Sequence, residues 1–376
     1  MRRRKIIALV LAGAMALSLA ACGGKGNGKD GGKSNAGDSG KMQVAMITDS
    51  GDITDQSFNQ TTYETCKAWS EKNDVEFNYY KPESDSDEAR NASVDQAVAD
   101  GANVIVLPGY MFAATIVEQS NVYPDVKFVA LDVSAGDICE KGVGKGYTYN
   151  PDDYTVSDYY NTENVYCCTY QEEFSGFMAG YAAVKLGYKH LGFLGGMSVP
   201  AVTRFGYGFV QGADKAADQV SVEYVCGGQF YGDADITAYM DTWYGGKDVE
   251  AVFACGGGIY TSAAEAAVKT NGKVIGVDSD QSGIINEYKD DLTITSAMKG
   301  LAVTVDTVLT AINDGKWNNY VGKIDNLGLV SEDPEENFVQ LPIETTQWCD
   351  GFTEDDYRDL VKKLYNGEIT VSGDTT

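Results

Sequence analysis

Residues 44–59 read Val44-Ala-Met-Ile-Thr-Asp49-Ser-Gly-Asp-Ile-Thr-Asp55-Gln-Ser-Phe58-Asn59, a short apolar strand followed by a polar turn and the start of a helix. In an open α/β sheet such a turn lies beyond the carboxyl end of a strand, where these sheets bind ligands. Asp49 offers a hydrogen-bond acceptor at the strand end, and Phe58 and Asn59 add an aromatic face and an amide. The stretch therefore predicts one wall of a site for a flat, polar small molecule.

Short apolar runs alternate with helical stretches along the rest of the chain, which predicts parallel sheets covered by helices on both faces. Strands are predicted at 44–48, 77–80, 104–107, 128–131, 191–194, 222–225, 252–254 and 274–277. Helices are predicted near 57–72, 86–100, 112–121, 173–186, 203–217, 234–244 and 260–270. The length of this region is enough for two lobes.

Two segments of the chain resemble each other. Strand, glycine turn, helix, strand and terminal aspartate recur between Val104 and Asp132 and again between Val252 and Asp278, at nearly the same spacing. Two similar lobes whose strands end in polar residues predict a ligand cleft between them. We expect an N-terminal lobe of residues 42–165 plus about 297–324, and a C-terminal lobe of residues 166–296 plus about 325–376.

The N-terminus predicts an extracytoplasmic location. Four basic residues precede an uncharged apolar run that ends Leu19-Ala-Ala-Cys22-Gly, so residues 1–21 are expected to be a secretory signal. The ending resembles a bacterial lipobox, which implies that Cys22 is lipidated and anchors the chain to the cell membrane; an uncleaved spanning anchor is the alternative. Residues 22–41 contain almost no apolar side chain, which predicts a flexible tether.

Composition excludes several classes of protein. The chain has 29 Lys and Arg against 55 Asp and Glu, so its surface repels nucleic acid, and we expect no nucleic-acid partner. Its cysteines form no Cys-x-x-Cys pair, and most of them are expected to be buried apolar residues, with no disulfide framework and no metal site. His190 is the single histidine, which disfavours Ser-His-Asp and Cys-His catalysis. We expect neither a cofactor nor an enzymatic activity.

Five separated motifs carry a resemblance to a known family. They are Ile47-Thr-Asp49 with Asp55-Gln-Ser-Phe58-Asn59-Gln, Glu173-Phe-Ser-Gly-Phe-Met-Ala-Gly180-Tyr-Ala-Ala, Leu194-Gly-Gly-Met-Ser-Val-Pro200-Ala-Val-Thr-Arg204-Phe205, Ile275-Gly-Val-Asp278-Ser-Asp-Gln281 and Thr295-Ser-Ala-Met-Lys299. Together they resemble the basic membrane protein family of ABC-transporter substrate-binding lipoproteins, of the purine nucleoside receptor A type. The resemblance implies a two-lobed periplasmic-binding-protein fold of type I. It also implies a nucleoside ligand, with a purine expected, that is delivered to an ABC permease driven by a separate ATPase.

The resemblance also implies roles for eight residues. The base would lie between Phe58 and Phe230, and the remaining contacts would be Asp49, Asn59 and Asp132 at the base edge and Gly256, Asp278 and Lys299 at the ribose. Stacking on both faces of a base and paired acceptors for vicinal hydroxyls agree with these residue types. Tyr231 competes with Phe230 for the second aromatic position, and Asp49 has the alternative of capping the following helix.

Other ligands and functions remain open from sequence. The glycine turns at 195–196 and 256–258 lack a complete phosphate-binding pattern, and the expected acids would repel a phosphate, so nucleosides are favoured over nucleotides. A sugar or another small polar molecule is the alternative ligand in the same fold. A secreted hydrolase using paired carboxylates is the alternative from another class.

Overall fold

The computed structural model describes residues 41–374, and each predicted strand and helix corresponds to an element in it. The strands are β1 (Gln43–Ile47), β2 (Glu76–Tyr80), β3 (Val104–Pro108), β4 (Lys127–Leu131), β5 (Val165–Tyr170), β6 (His190–Gly195), β7 (Ser221–Cys226), β8 (Ala251–Cys255), β9 (Lys273–Asp278), β10 (Thr293–Lys299), β11 (Ile324–Leu327) and β12 (Val339–Gln340). The α-helices are α1 (Phe58–Asn73), α2 (Asp87–Ala99), α3 (Ala113–Val122), α4 (Ala135–Val143), α5 (Glu172–Lys185), α6 (Pro200–Ala216), α7 (Ala234–Gly246), α8 (Tyr260–Ala267), α9 (Ser282–Ile285), α10 (Leu301–Asn313) and α11 (Glu354–Tyr365). The predicted signal at 1–21, Cys22 and the tether up to residue 40 lie outside the described residues.

Within residues 41–374 the strands form two six-stranded sheets of matching topology. The first has the order β11-β5-β4-β3-β1-β2 and the second the order β12-β10-β9-β8-β6-β7. All neighbouring strands are parallel except the short β12, which pairs antiparallel with β10. The order reverses between β1 and β3 in one sheet and between β6 and β8 in the other. Ligands bind beyond the carboxyl ends of strands at such reversals, so each lobe presents one binding edge.

The pairing of strands differs from the predicted lobe boundaries by a few residues. The predicted break at 165/166 falls at the start of β5, which pairs with β4 and β11 in the first sheet. Similarly, β10 pairs with β9 in the second sheet, so the return to the first lobe comes after Lys299, two residues beyond the predicted start at about 297. The sequence pattern did not identify β5 or β10 as strands. The sheet to which each of these strands belongs depends on the neighbour it pairs with. The periodicity of one sequence does not show that pairing.

Each sheet is buried on both faces. In β1, Val44 and Met46 pack in one apolar cluster, whereas Ala45 and Ile47 pack in another on the opposite face. This alternation is the period of two that a strand imposes on its side chains. Because both faces are covered, polar groups concentrate where the strands end. No helix between residues 41 and 374 combines the length and apolar character that a membrane span needs.

Helices α5 and α6 pack with their backbones in close approach at glycines. A Cβ atom on Gly176 would lie 2.1 Å from the backbone oxygen of Phe205, and one on Gly212 would lie 2.0 Å from that of Phe177. Gly180 and Gly208 make equivalent approaches at 2.1 Å. The close packing explains Gly176 and Gly180 of the second motif together with Gly208 and Gly212 of α6, and it fixes how the two helices lie against each other.

We expect Gly212→Ala to destabilise the fold by about 1–3 kcal/mol, because the added methyl group has no space beside a backbone carbonyl. Gly245→Ala is the matched control, since a Cβ there meets nothing within 4 Å inside helix α7. It should leave stability unchanged or raise it by up to about 1 kcal/mol. Urea unfolding of both variants measures the difference, and equal effects would contradict the packing described.

Candidate functional site

A cavity of about 780 Å³ lies where the carboxyl ends of the two sheets face each other. Its lining includes every residue that the sequence predicted for the site: Asp49, Phe58, Asn59, Asp132, Phe230, Gly256, Asp278 and Lys299. These residues come from both lobes and span most of the chain. The structure therefore brings the predicted set together at one place.

The first-lobe wall is formed by the loop between β1 and α1. Asp49 Oδ1 accepts hydrogen bonds from the Gly51 backbone amide at 2.7 Å and from Asn59 Nδ2 at 3.2 Å. Asn59 Nδ2 also donates to Asp55 Oδ2 at 3.2 Å. Asp55, and not Asp49, accepts backbone amides at the start of α1, so the capping alternative for Asp49 is excluded. Burial raises the pKa of Asp49 to about 6, although its two hydrogen bonds oppose that rise.

Asp132 and Asp278 occupy matching positions in the two lobes. Asp132 directly follows β4, and Asp278 is the last residue of β9, the equivalent strand of the second sheet. Both have a left-handed backbone, with φ of 60° and 64°. A non-glycine residue in this region is uncommon, and such strain concentrates at functional sites. The repeat in the sequence thus marks two equivalent carboxylates that enter one cleft.

Lys299 lies in contact with three carboxylates, and we call these four residues the Lys299 cluster. Its Nζ atom is 2.6 Å from Asp132 Oδ2, 3.5 Å from Glu172 Oε1 and 3.6 Å from Asp278 Oδ1. The lysine side chain is 3 % exposed. Burial alone would lower the pKa of Lys299, but the three nearby carboxylates outweigh it and raise the pKa above its ordinary value. Asp132, which was predicted at the base edge, and Lys299, which was predicted at the ribose, are therefore direct partners.

The charged residues that the sequence did not predict for the site include two that adjoin each other at the Lys299 cluster. Arg204 lines the cavity and donates from Nε to Glu172 Oε2 at 2.6 Å, and Glu172 is fully buried. Arg204 belongs to the third motif, but the sequence analysis assigned it no role. Glu172 lies two residues past the end of β5, near the same edge of the sheet as Asp132. Because β5 was not predicted as a strand, Glu172 was not recognised as an acid at a strand end.

The two predicted aromatic residues have different surroundings. The Phe58 ring has the Lys299 ammonium 4.6 Å from its centroid, which holds it beside the Lys299 cluster. Phe230 packs against the glycine turns after β6 and β8, because a Cβ on Gly196 or Gly256 would lie 2.5 or 2.9 Å from its ring. Its neighbour Tyr231 also lines the cavity but is 63 % exposed. The glycines explain how a bulky ring reaches this edge of the sheet.

Direct hydrogen bonds join the two lobes across one side of the cavity. Ser57 Oγ donates to Asp278 Oδ2 at 2.6 Å. The backbone oxygen of Gln56 accepts from Ser279 Oγ at 3.2 Å and from Gln281 Nε2 at 3.1 Å. The loop that carries Phe58 and Asn59 is therefore bonded to the turn after β9. This arrangement corresponds to a closed cleft.

Acids outnumber bases on the cavity wall. Among the described lining residues the carboxylates are Asp49, Asp52, Asp55, Asp85, Asp132, Asp137 and Asp278. The cations are Lys81, Arg204 and Lys299, of which Lys299 and Arg204 are paired with buried carboxylates. Such a wall disfavours an anionic ligand and suits a neutral or cationic one with hydrogen-bond donors.

Comparison with known proteins places the chain in a protein family. Residues 42–375 match the family model described as "Bmp: ABC transporter substrate-binding protein PnrA-like". The chain is 25 % identical over 336 residues to an ABC transporter nucleoside-binding protein BmpA of Lactococcus lactis, covering 84 % of this chain and 87 % of that protein. It is 27 % identical over 343 residues to basic membrane protein B of Borreliella afzelii, covering 88 % and 87 %. An ABC transporter solute-binding protein from Conexibacter woesei has the same fold, with a TM-score of 0.65, 21 % identity and coverage of 88 % and 99 %.

We expect Lys299→Met to destabilise the fold by about 3–5 kcal/mol at pH 8, because the change leaves buried carboxylates without their cation. The loss should be smaller at pH 5. Burial already raises the pKa of Asp132, and without the ammonium this carboxyl takes up a proton more readily.

The control is Lys269→Met, which removes an exposed lysine paired with Asp241 and should cost at most about 1 kcal/mol. Urea unfolding of both variants at the two pH values measures these effects. A Lys299→Met loss no greater than that of the control would rule out the described role of the cluster.

Proposed function

Because the chain belongs to the PnrA-like family of ABC transporter substrate-binding proteins, we propose that it binds a nucleoside, by preference a purine nucleoside, between its two lobes. One observation carries the proposal: aromatic rings and carboxylates from both lobes line a single cavity. A nucleoside has a flat base with a polar rim and a ribose with vicinal hydroxyls. Aromatic stacking serves the base, and carboxylates serve the hydroxyls and the ring donors.

The residues divide into two groups in this proposal. Phe58 and Phe230 stack on the base, and the residues around its rim are Asp49, Asn59 and Asp132. The ribose lies toward Gly256, Asp278 and Lys299. Asp132 and Lys299 are bonded at 2.6 Å, so the boundary between the groups runs through the Lys299 cluster. The acid excess on the wall supports a nucleoside in preference to a nucleotide.

The proposal includes the location and partners of the protein. The predicted signal at 1–21 and lipidation at Cys22 would place the folded lobes outside the cytoplasm, anchored to the cell membrane. The closed lobes would then dock on an ABC permease whose ATPase supplies the energy. Closure around a ligand that holds both half-sites together is a hinge motion of the kind that binding proteins use. The three crossings between the sheets, after β5, β10 and β11, are where such a hinge would lie.

Calorimetry of the purified protein with inosine, guanosine, adenosine, cytidine, ribose and galactose tests the ligand. We expect the nucleosides to bind and the free sugars to bind far more weakly, since the sugars lack the stacked base. Sugar binding without nucleoside binding would favour the alternative ligand class. Chromatography of the mixtures would reveal released base or sugar if the chain were a hydrolase. If none of the nucleosides binds below the millimolar range, the proposal fails.

The two stacking residues can be tested by truncation. Phe58→Ala and Phe230→Ala should each weaken nucleoside binding by about 1–3 kcal/mol, the usual contribution of an aromatic ring stacked on a base. Tyr231→Ala is the matched control, because Tyr231 is the aromatic residue next to Phe230. It should have a much smaller effect, because this side chain is mostly exposed. A larger loss in Tyr231→Ala than in Phe230→Ala would assign the second aromatic position to Tyr231.

Nucleoside affinity should fall as the pH drops below 6. The pKa of Asp49 is raised to about 6 by burial, with the Asp55 charge adding to the rise and Arg90 opposing it. A base that donates to Asp49 needs the ionised carboxylate, so protonation competes with binding. Because protonation of Asp49 competes with nucleoside binding, the affinity should fall roughly tenfold between pH 7.5 and pH 5. Calorimetry at both pH values measures it, and Asp49→Asn should show a weaker pH dependence.

A further inference from the structure

Hydrogen bonds determine the orientation of the Asn59 side-chain amide. Its nitrogen donates to Asp49 Oδ1 and to Asp55 Oδ2, both at 3.2 Å. An amide nitrogen has two hydrogens, so both are used. If the amide were flipped, its carbonyl oxygen would face two carboxylate oxygens with no donor between them. The amide oxygen of Asn59 is therefore the atom left for a ligand, and it is buried without a hydrogen-bond partner among residues 41–374.

The two carboxylates that orient Asn59 are held in place by the backbone. Asp55 accepts from the backbone amides of Ser57, Asn59 and Gln60 at 2.9–3.0 Å, so it cannot rotate without losing them. Asp49 Oδ1 accepts from Gly51 at 2.7 Å. A Cβ atom on Gly51 would lie 2.2 Å from Asn59 Nδ2, so the amide also has little space to move. Asn59 is thus an acceptor with a fixed direction.

The other base-edge residue presents an acceptor as well. Asp132 Oδ2 is bonded to Lys299, whereas Oδ1 is buried and has no partner within the described part of the chain. Asp49 is a further carboxylate on the same wall. Among these three lining residues, Asn59 and Asp132 each hold an unpartnered acceptor oxygen and Asp49 adds a carboxylate, and none of them has a free donor when the carboxylates are ionised.

We infer that this site selects bases whose edge carries hydrogen-bond donors, so that guanosine binds more tightly than inosine, and inosine more tightly than adenosine. This inference rests on the proposed function. Guanine presents N1–H and the 2-amino group side by side, a pair of donors that matches a carboxylate. Hypoxanthine keeps N1–H alone. Adenine has a 6-amino donor, but the lone pair at its N1 would face an acceptor and leave a buried polar atom unpaired.

The ligand series needs no variant. Calorimetry of the unmodified protein at pH 7.5 should give a guanosine affinity at least tenfold above that of adenosine, with inosine between them. The probe 1-methylguanosine, which lacks N1–H, should bind at least tenfold more weakly than guanosine. Adenosine binding equal to or tighter than guanosine binding would overturn the inference and leave the nucleoside function intact. Failure of every nucleoside to bind would overturn both.

Asp55 is the positioning residue in this account, and Asp55→Asn tests it. When the new amide turns its NH2 group toward Asn59, one of the two carboxylates that hold Asn59 Nδ2 is lost. The Asn59 amide can then flip in place, with its oxygen toward residue 55, and offer a donor to adenine N1. The ratio of guanosine to adenosine affinity should fall at least fivefold. Asp356→Asn is the matched control, because Asp356 accepts at a helix start in the same way but lies in α11, outside the cavity.

Thermal unfolding of both variants checks that they fold. A purely structural role of Asp55 would weaken all nucleosides alike and leave the ratio unchanged. An unchanged ratio in folded Asp55→Asn would therefore overturn the role of Asp55.

Discussion

The ammonium group of Lys299 is the point on which the arrangement of both lobes depends. It is almost fully buried, and it remains charged because carboxylates reach it from three separate places: the end of β4, the start of α5 and the end of β9. Two of the positions, Lys299 itself and Glu172, adjoin crossings between the sheets. Removing the lysine would leave three carboxylates, of which Glu172 alone in this cluster keeps a cationic partner, Arg204. The intact cluster therefore holds the ends of β4, β9 and β10 at fixed positions relative to each other.

This cluster also joins parts of the site that the residue types alone suggest are separate. Asp132 is expected at the base and Lys299 at the sugar, yet they share a hydrogen bond of 2.6 Å. The shared bond takes one oxygen of Asp132 and leaves the other to the cavity, so the cluster decides which atom a ligand meets. Asn59 shows the same principle in the first lobe, where two fixed carboxylates use both donors of the amide. In each case a neighbouring charge assigns the direction of a hydrogen bond.

Much of the fold could be predicted from the pattern of residues. Buried strands such as 104–107 and 252–254 are short apolar runs separated by helical stretches. They were therefore predicted at the positions that the structure gives them. The repeat that ends at Asp132 and Asp278 also has a structural meaning, because these residues occupy matching strands with matching left-handed backbones. Strand β5 was missed because its tyrosine- and cysteine-containing sequence resembles the irregular stretch before it. Glu172 was missed with β5, since only the strand shows that this acid stands at a carboxyl edge.

The sequence by itself predicted the class of fold and, through its resemblance to a known family, eight of the residues that line the cavity. Strand periodicity depends on neighbours along the chain and predicts the class of fold. Site residues such as Phe230 and Lys299 needed the family resemblance as well. Only the tertiary structure decided the pairing of Lys299 with three distant carboxylates, the crossing points of the lobes and the orientation of the Asn59 amide. Those features depend on atoms that lie up to 167 residues apart in the chain and within 4 Å in space. Such distances arise from packing, and no spacing within the sequence encodes them.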